Sequence, residues 1–191
     1  MYAMNDKNRQ KNAKEKRKGS VAKECAYLAV FVALTIAVQL IFAAVPGVEL
    51  VTVLFVSYAF VFGWKRGLTA ATVFSLLRQI VFGFYPIVLI LYLVYFNLLA
   101  AGFGILGVKI KKIVRALPVI VLLACLGTAF FHLFDNLLTP IWYGYSQRAT
   151  WVYFQASLSF MIPQIISTAI SVSILFLPLC SVFTFVRRGL K

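Results

Sequence analysis

Acidic residues are scarce: five Asp and Glu stand against nineteen Lys and Arg in 191 residues. Histidine occurs once, as His132, and the three cysteines, Cys25, Cys125 and Cys180, lie far apart without C-x-x-C spacing. These shortages exclude chemistry. A zinc centre needs several Cys or His ligands, and a disulfide framework needs a spaced, even set of cysteines. The cysteines therefore read as small packing residues. No G-x-x-x-x-G-K-S/T loop is present, so the sequence offers no ATPase of its own. Neither HExxH nor GxSxG is found, and no cofactor motif. The regular charges of a voltage sensor and the filter sequences of channels are missing too.

What is abundant is apolar. Hydrophobic residues make up 62% of the chain and the mean hydropathy is +0.93, well above the roughly 45–50% apolar content of a soluble domain. Six apolar runs, over about residues 26–45, 48–64, 67–84, 86–108, 117–138 and 161–185, have the length of bilayer-crossing helices, the second and third being near the lower limit. Residues 1–24 differ sharply, with eight Lys or Arg, three acids and almost nothing to bury. They read as a basic, unstructured tail ahead of a membrane domain at 25–191. The run at 26–45 is long enough to span, which favours a spanning helix over a cleaved signal peptide. The tail fits a cytoplasmic orientation signal that also attracts anionic lipid better than it fits a nucleic-acid contact.

With the N-terminus inside, seventeen of the nineteen Lys and Arg fall in cytoplasmic segments, as the positive-inside rule requires. The expectation is an all-α integral membrane protein of the cell membrane, with six transmembrane helices and both termini cytoplasmic.

The polar residues share a depth. In the stretch FFHLFDNLLTP, Phe130 to Pro140, the residues His132, Asp135 and Asn136 join Thr128 and Thr139 on one face of a helix. His132 falls roughly 9 Å below its outer end. Gln164, Ser167, Thr168 and Ser171 form a matching face on the sixth run. Arg78 and Gln79 fall in the outer half of the third, Glu49 at the outer mouth of the second, and Tyr92 and Tyr95 in the outer half of the fourth. Asn97, nearer mid-membrane, is the exception. Ionised side chains facing lipid are costly, so Arg78, His132 and Asp135 should point inward. Two arrangements satisfy this: an internal network built on an Arg78–Asp135 pair, or a ligand pocket open to the outside. The outer connection TPIWYGYSQRATWVYFQ holds Trp142, Tyr143, Tyr145, Trp151 and Tyr153, which suit an interfacial aromatic belt or a lid that stacks on a flat ligand. The candidate binding residues are Arg78, Tyr92, Tyr95, His132, Asp135, Asn136, Trp142 and Gln164.

On the first run, Ala22, Ala26, Ala29, Ala33 and Ala37 recur at helical spacing, a pattern that lets another helix backbone approach, within the chain or from a partner. On the fourth, Asn97, Ala101, Gly104 and Val108 form a face suited to internal packing.

Size, six runs, inside termini, the Ala29–Ala33–Ala37 spacing and the segment PGVELVTVLFVSYAFVFGWKRGLTAATVF together resemble the S component, the substrate-binding membrane subunit, of energy-coupling factor transporters. In that segment a Pro and an acidic turn precede a short helix, a Gly-basic turn at Gly63 to Gly67, and a second short helix. The resemblance runs from Val21 to Lys191. It implies capture of a vitamin or related micronutrient near the outer surface. It also implies docking of Ala29, Ala33 and Ala37 on a transmembrane coupling subunit that carries two ATPases. None of the family's substrate signatures is found here. Arg78 suits a carboxylate or phosphate, and the aromatic outer segment suits a ring, so a planar, anionic vitamin or precursor is the expected cargo. The competing reading is a small intramembrane enzyme acting on a lipid or anionic headgroup, with His132 and Asp135 as an acid–base pair and Arg78 as an anion clamp.

Overall fold

A computed structural model describes residues 2–45, 47–110 and 112–190, with side chains described from residue 21 onward. Among these residues the chain is all-helical, with six helices: α1 Tyr2–Phe42, α2 Val51–Phe62, α3 Trp64–Phe82, α4 Pro86–Lys109, α5 Ile113–Tyr143 and α6 Gln147–Gly189. Four of them carry a stretch long and apolar enough to cross a membrane: the Val21–Phe42 part of α1, α4, α5 and α6. This is the make-up of a multi-pass membrane protein.

The two remaining helices differ from the six-span expectation. α2 has twelve residues, about 18 Å of helix, against a hydrocarbon core of about 30 Å. The apolar run at 48–64 is longer than the helix because residues 48–50 are not helical and Gly63 ends it. α3 has the length, at nineteen residues, but carries Lys65, Arg66, Arg78 and Gln79. An apolar helix of 10–14 residues is more often a buried core helix than a span, and α2 is one: all twelve of its residues are buried. It is packed by α3, α4 and α6, with α5 and α1 farther out.

Phe55 is fully buried at the centre of this arrangement. Its ring lies 4.7 Å from Phe96, 5.1 Å from Phe74 and 5.3 Å from Phe31, so α1, α3 and α4 meet on it. Gly63 joins α2 to α3 alone, with φ 86° and ψ 168°, a conformation that residues with a Cβ rarely adopt. α4 then crosses the α2–α3 corner closely: a Cβ on Gly104 would strike the backbone of Trp64, and one on Gly107 the carbonyl of Phe60. The expected packing face of α4 is therefore real at Gly104, and Asn97 accepts a hydrogen bond from Thr72 of α3 (3.2 Å) as interhelical glue. Val108, placed on that face by spacing, is exposed instead.

The outward surfaces are apolar. Leu122, Leu126 and Leu133 on α5 and Ile166, Ile170 and Ile174 on α6 recur along exposed faces, while Thr128, Thr168 and Ser171 point inward. Apolar residues outside and hydroxyls inside is the arrangement a lipid solvent selects.

Residues 139–160 are not the long loop expected. α5 continues to Tyr143 and α6 begins at Gln147, leaving three residues between them. Gly144, at φ 62°, ends α5. The Tyr145 amide donates to Pro140 O (2.9 Å) and the Gly144 amide to Ile141 O (3.4 Å), a glycine-terminated cap that satisfies the last carbonyls. Ser146 Oγ accepts from the Ala149 amide (3.3 Å) and starts α6. At 31 and 43 residues, about 46 and 64 Å, both helices exceed the hydrocarbon core. A second difference lies in the basic segment, where the backbone of α1 is helical from Tyr2. Its Lys, Arg, Glu, Gln and Ala residues are good helix formers and no proline interrupts them.

The two ends of the bundle are distinct. At one, Arg66 Nη2 lies 2.6 Å from Glu24 Oε1 and Arg187 Nη1 donates to the Val61 carbonyl (2.6 Å), covering the C-terminus of α2. Lys65 and Lys109 belong to the same end. The polar side chains singled out from the sequence lie at the other.

Candidate functional site

Glu49 sits on the non-helical link into α2 and organises the polar end. Its Oε1 accepts from the Thr52 amide (2.8 Å), satisfying one of the unpaired donors of the first turn of α2. Its Oε2 accepts from Gln164 Nε2 (2.8 Å). The Glu49 amide donates to Ser167 Oγ (2.8 Å) and its carbonyl accepts from Ser171 Oγ (3.2 Å). The polar face of α6 is thus what holds this link in place. Behind Gln164, His132 Nε2 lies 2.8 Å from Gln164 Oε1. A carboxylate only accepts, so the amide NH₂ of Gln164 faces Glu49 and its oxygen faces His132. The imidazole therefore donates through Nε2–H.

Arg78 approaches from α3. Its Nε donates to Gln39 Oε1 (3.1 Å), and Gln39 Nε2 donates to Tyr92 OH (2.7 Å). The guanidinium lies over the Tyr92 ring (4.1 Å to the centroid) and the Phe82 ring (4.6 Å), a cation–π sandwich. Its Nη atoms have no hydrogen-bond partner among the described residues.

These two constructions face a common cavity of about 350 Å³ bounded by Gln39, Glu49, Arg78, Phe82, Tyr92 and Gln164, together with apolar residues of the α1–α2 link. A volume of about 300–1,000 Å³ suits one small organic molecule. The chemistry on offer is recognition: a fixed cation with donors unpaired among the described residues, a fixed carboxylate, two amides and two aromatic rings.

Of the residues expected from the sequence, Arg78, Tyr92 and Gln164 line this cavity and His132 supports it through Gln164. The other four lie elsewhere. Tyr95 is buried and its hydroxyl pairs with Thr52 Oγ1 (3.0 Å), tying α4 to α2. Asp135 Oδ1 accepts from Thr139 Oγ1 (2.6 Å) and Oδ2 from Tyr153 OH (2.8 Å). Asn136 Nδ2 donates to Ser157 Oγ (2.9 Å). Trp142 is 51% exposed near the end of α5.

The Arg78–Asp135 pair does not form: Asp135 is tied to Thr139 and Tyr153 within the α5–α6 hairpin, and Arg78 is held by Gln39 of α1. Nor do His132 and Asp135 meet as an acid–base pair; each has its own partner on α6. The aromatic segment is helical on either side of residues 144–146, with Trp151 exposed and Tyr145 packed edge-on to Tyr153 (5.9 Å), and none of its aromatics is in the described lining of the cavity. Sequence reasoning left out Gln39 and Glu49 as binding candidates. Glu49 had signalled itself by depth, and Gln39 as the lone amide of the apolar run at 26–45.

The alanines Ala29, Ala33 and Ala37 are exposed on α1 beside Val30, Leu34 and Leu40. They are not used for packing within the chain. Comparison with family models, curated proteins and solved structures finds no match to this chain.

Proposed function

We propose that this protein is the substrate-binding membrane subunit of an energy-coupling factor type importer. It captures a vitamin-like molecule in the cavity between Arg78 and Glu49 and hands it on through a separate coupling subunit with two ATPases. The observation that carries this reading is the cavity. It is polar, of small-molecule size, and furnished with two charges whose positions are fixed by neighbouring side chains. The orientation follows from the charge distribution: Lys65, Arg66, Lys109 and Arg187 gather at the end opposite the cavity, so that end and both termini face the cytoplasm. The cavity then opens to the outside of the cell membrane. α2 and α3 complete a six-helix membrane domain without each having to cross lipid alone.

The outward-facing alanines on α1 support a partner surface. Small side chains permit close approach of a second helix, and among the described residues that face is left exposed. Replacement of Ala33 by Trp is expected to abolish uptake of labelled vitamin by cells. The purified variant should keep ligand affinity within about twofold of wild type, since no interaction of the cavity is touched. Parallel loss of uptake and binding would overturn docking through this face.

A further inference from the structure

Arg78 and Glu49 are the charged residues among the described lining of the cavity, and they have opposite signs. They do not pair with each other. The ion pair found among the described residues is Glu24–Arg66 at the other end, closed to 2.6 Å. At the cavity each charge is held by its own scaffold. Arg78 is stacked between Tyr92 and Phe82 and tied by Nε to Gln39, and its terminal nitrogens make no hydrogen bond among the described residues. Glu49 is anchored by the Thr52 amide and by Gln164, itself held by His132. A carboxylate accepts at up to about four lone-pair sites, so two hydrogen bonds do not exhaust it. Opposite charges in one low-dielectric space attract strongly. Two that are braced apart leave room for a complementary pair of charges.

We infer that the cavity takes an amphoteric small molecule, with an anionic group on the terminal nitrogens of Arg78 and a cationic amine at Glu49. This rests on reading the cavity as a ligand site and narrows the cargo beyond a planar anion. A carboxylate or phosphate suits the planar guanidinium. A purely anionic ligand would lie against Glu49 uncompensated, and a purely cationic one against Arg78.

The test uses the purified full chain in detergent and two series of probes at neutral pH, each built on one ring. The first is tryptophan, tryptamine and indole-3-propionate. The second is pyridoxamine 5′-phosphate, pyridoxamine and pyridoxine 5′-phosphate. Affinity is read by calorimetry. In at least one series the amphoteric compound should bind at least about tenfold more tightly than both single-charge analogues. In Glu49→Gln its advantage over the anion should vanish, and in Arg78→Gln its advantage over the cation. The wild-type comparison stands even if a variant fails to fold. A single-charge analogue that equals the amphoteric compound in every series that binds overturns the inference. If that analogue is the anion and needs Arg78, the ligand-site reading survives and Glu49 is only a cap for α2. No binding in either series also overturns it; binding of an uncharged vitamin would then leave the transport reading standing by itself.

Discussion

Two polar clusters lie at the same end of the bundle, and they are built differently. In the α5–α6 hairpin, Asp135 has both oxygens occupied by hydroxyls of Thr139 and Tyr153, and Asn136 bonds Ser157. All of these partners come from the two helices of the hairpin. At the cavity, Glu49, Gln164, Gln39, Arg78 and Tyr92 come from α3, α4, α6, α1 and the link before α2. There the terminal nitrogens of Arg78 have no hydrogen-bond partner among the described residues. Apolar chains can carry a carboxylate as internal fastening when each of its oxygens has a donor. A charged group whose donors are left open beside a space of molecular size is arranged for something else. Similar residue types thus take on different work according to where their hydrogen bonds end.

Variants of the two clusters separate these roles. The largest effect on binding is expected from Arg78→Ala, which removes the cation and its donors. Affinity for the cognate ligand should fall roughly 100-fold or more, as on truncation of one partner of a charged contact, with a smaller loss of stability because Gln39 Oε1 loses its donor. Titration of wild type and variant checks this. Gln164→Ala should act on both properties. It deprives Glu49 of a donor and His132 of an acceptor, so stability should drop by about 1–3 kcal/mol and affinity by roughly tenfold. Asp135→Ala should act on stability alone, by a similar 1–3 kcal/mol or so, because the Tyr153 hydroxyl loses its acceptor. Loss of binding in Asp135→Ala beyond that of Gln164→Ala would erase the distinction between the clusters. Trp142→Ala touches neither and should change stability by no more than about 0.5 kcal/mol, with uptake intact, by the same melting and uptake assays.

The sequence carried much of the fold. Periodic apolar runs separated by Gly, Pro and basic turns placed the helices, and the shared depth of Arg78, Tyr92 and Gln164 located the cavity end. What it did not carry has physical causes. The apolar run at 48–64 looks like a short span because hydropathy does not distinguish lipid from a protein interior as the surroundings of α2. The segment after Thr139 looks like a loop because it opens on Pro140 and is polar and aromatic, yet α5 runs through Pro140 and stops only at Gly144. Asp135 sits one helical step beyond His132 on the same face, and spacing alone aims both at one site. Their separation depends on Tyr153 and Gln164, eleven residues apart on α6, reaching different levels of α5. Glu49 entered the site through contacts more than a hundred residues distant in sequence, with Gln164, Ser167 and Ser171. Such contacts leave no local pattern.

The most direct test of the ligand-site claim is a thermal-shift screen of wild type, Arg78→Ala and Asp135→Ala against vitamins and their precursors. A ligand that binds only the folded protein adds about 2.7 kcal/mol of stability at 100 times its dissociation constant, a shift well within reach of the method. The account predicts a compound that stabilises wild type and Asp135→Ala alike and leaves Arg78→Ala unmoved. A hit that stabilises all three proteins equally, or a broad panel that stabilises none, would contradict it.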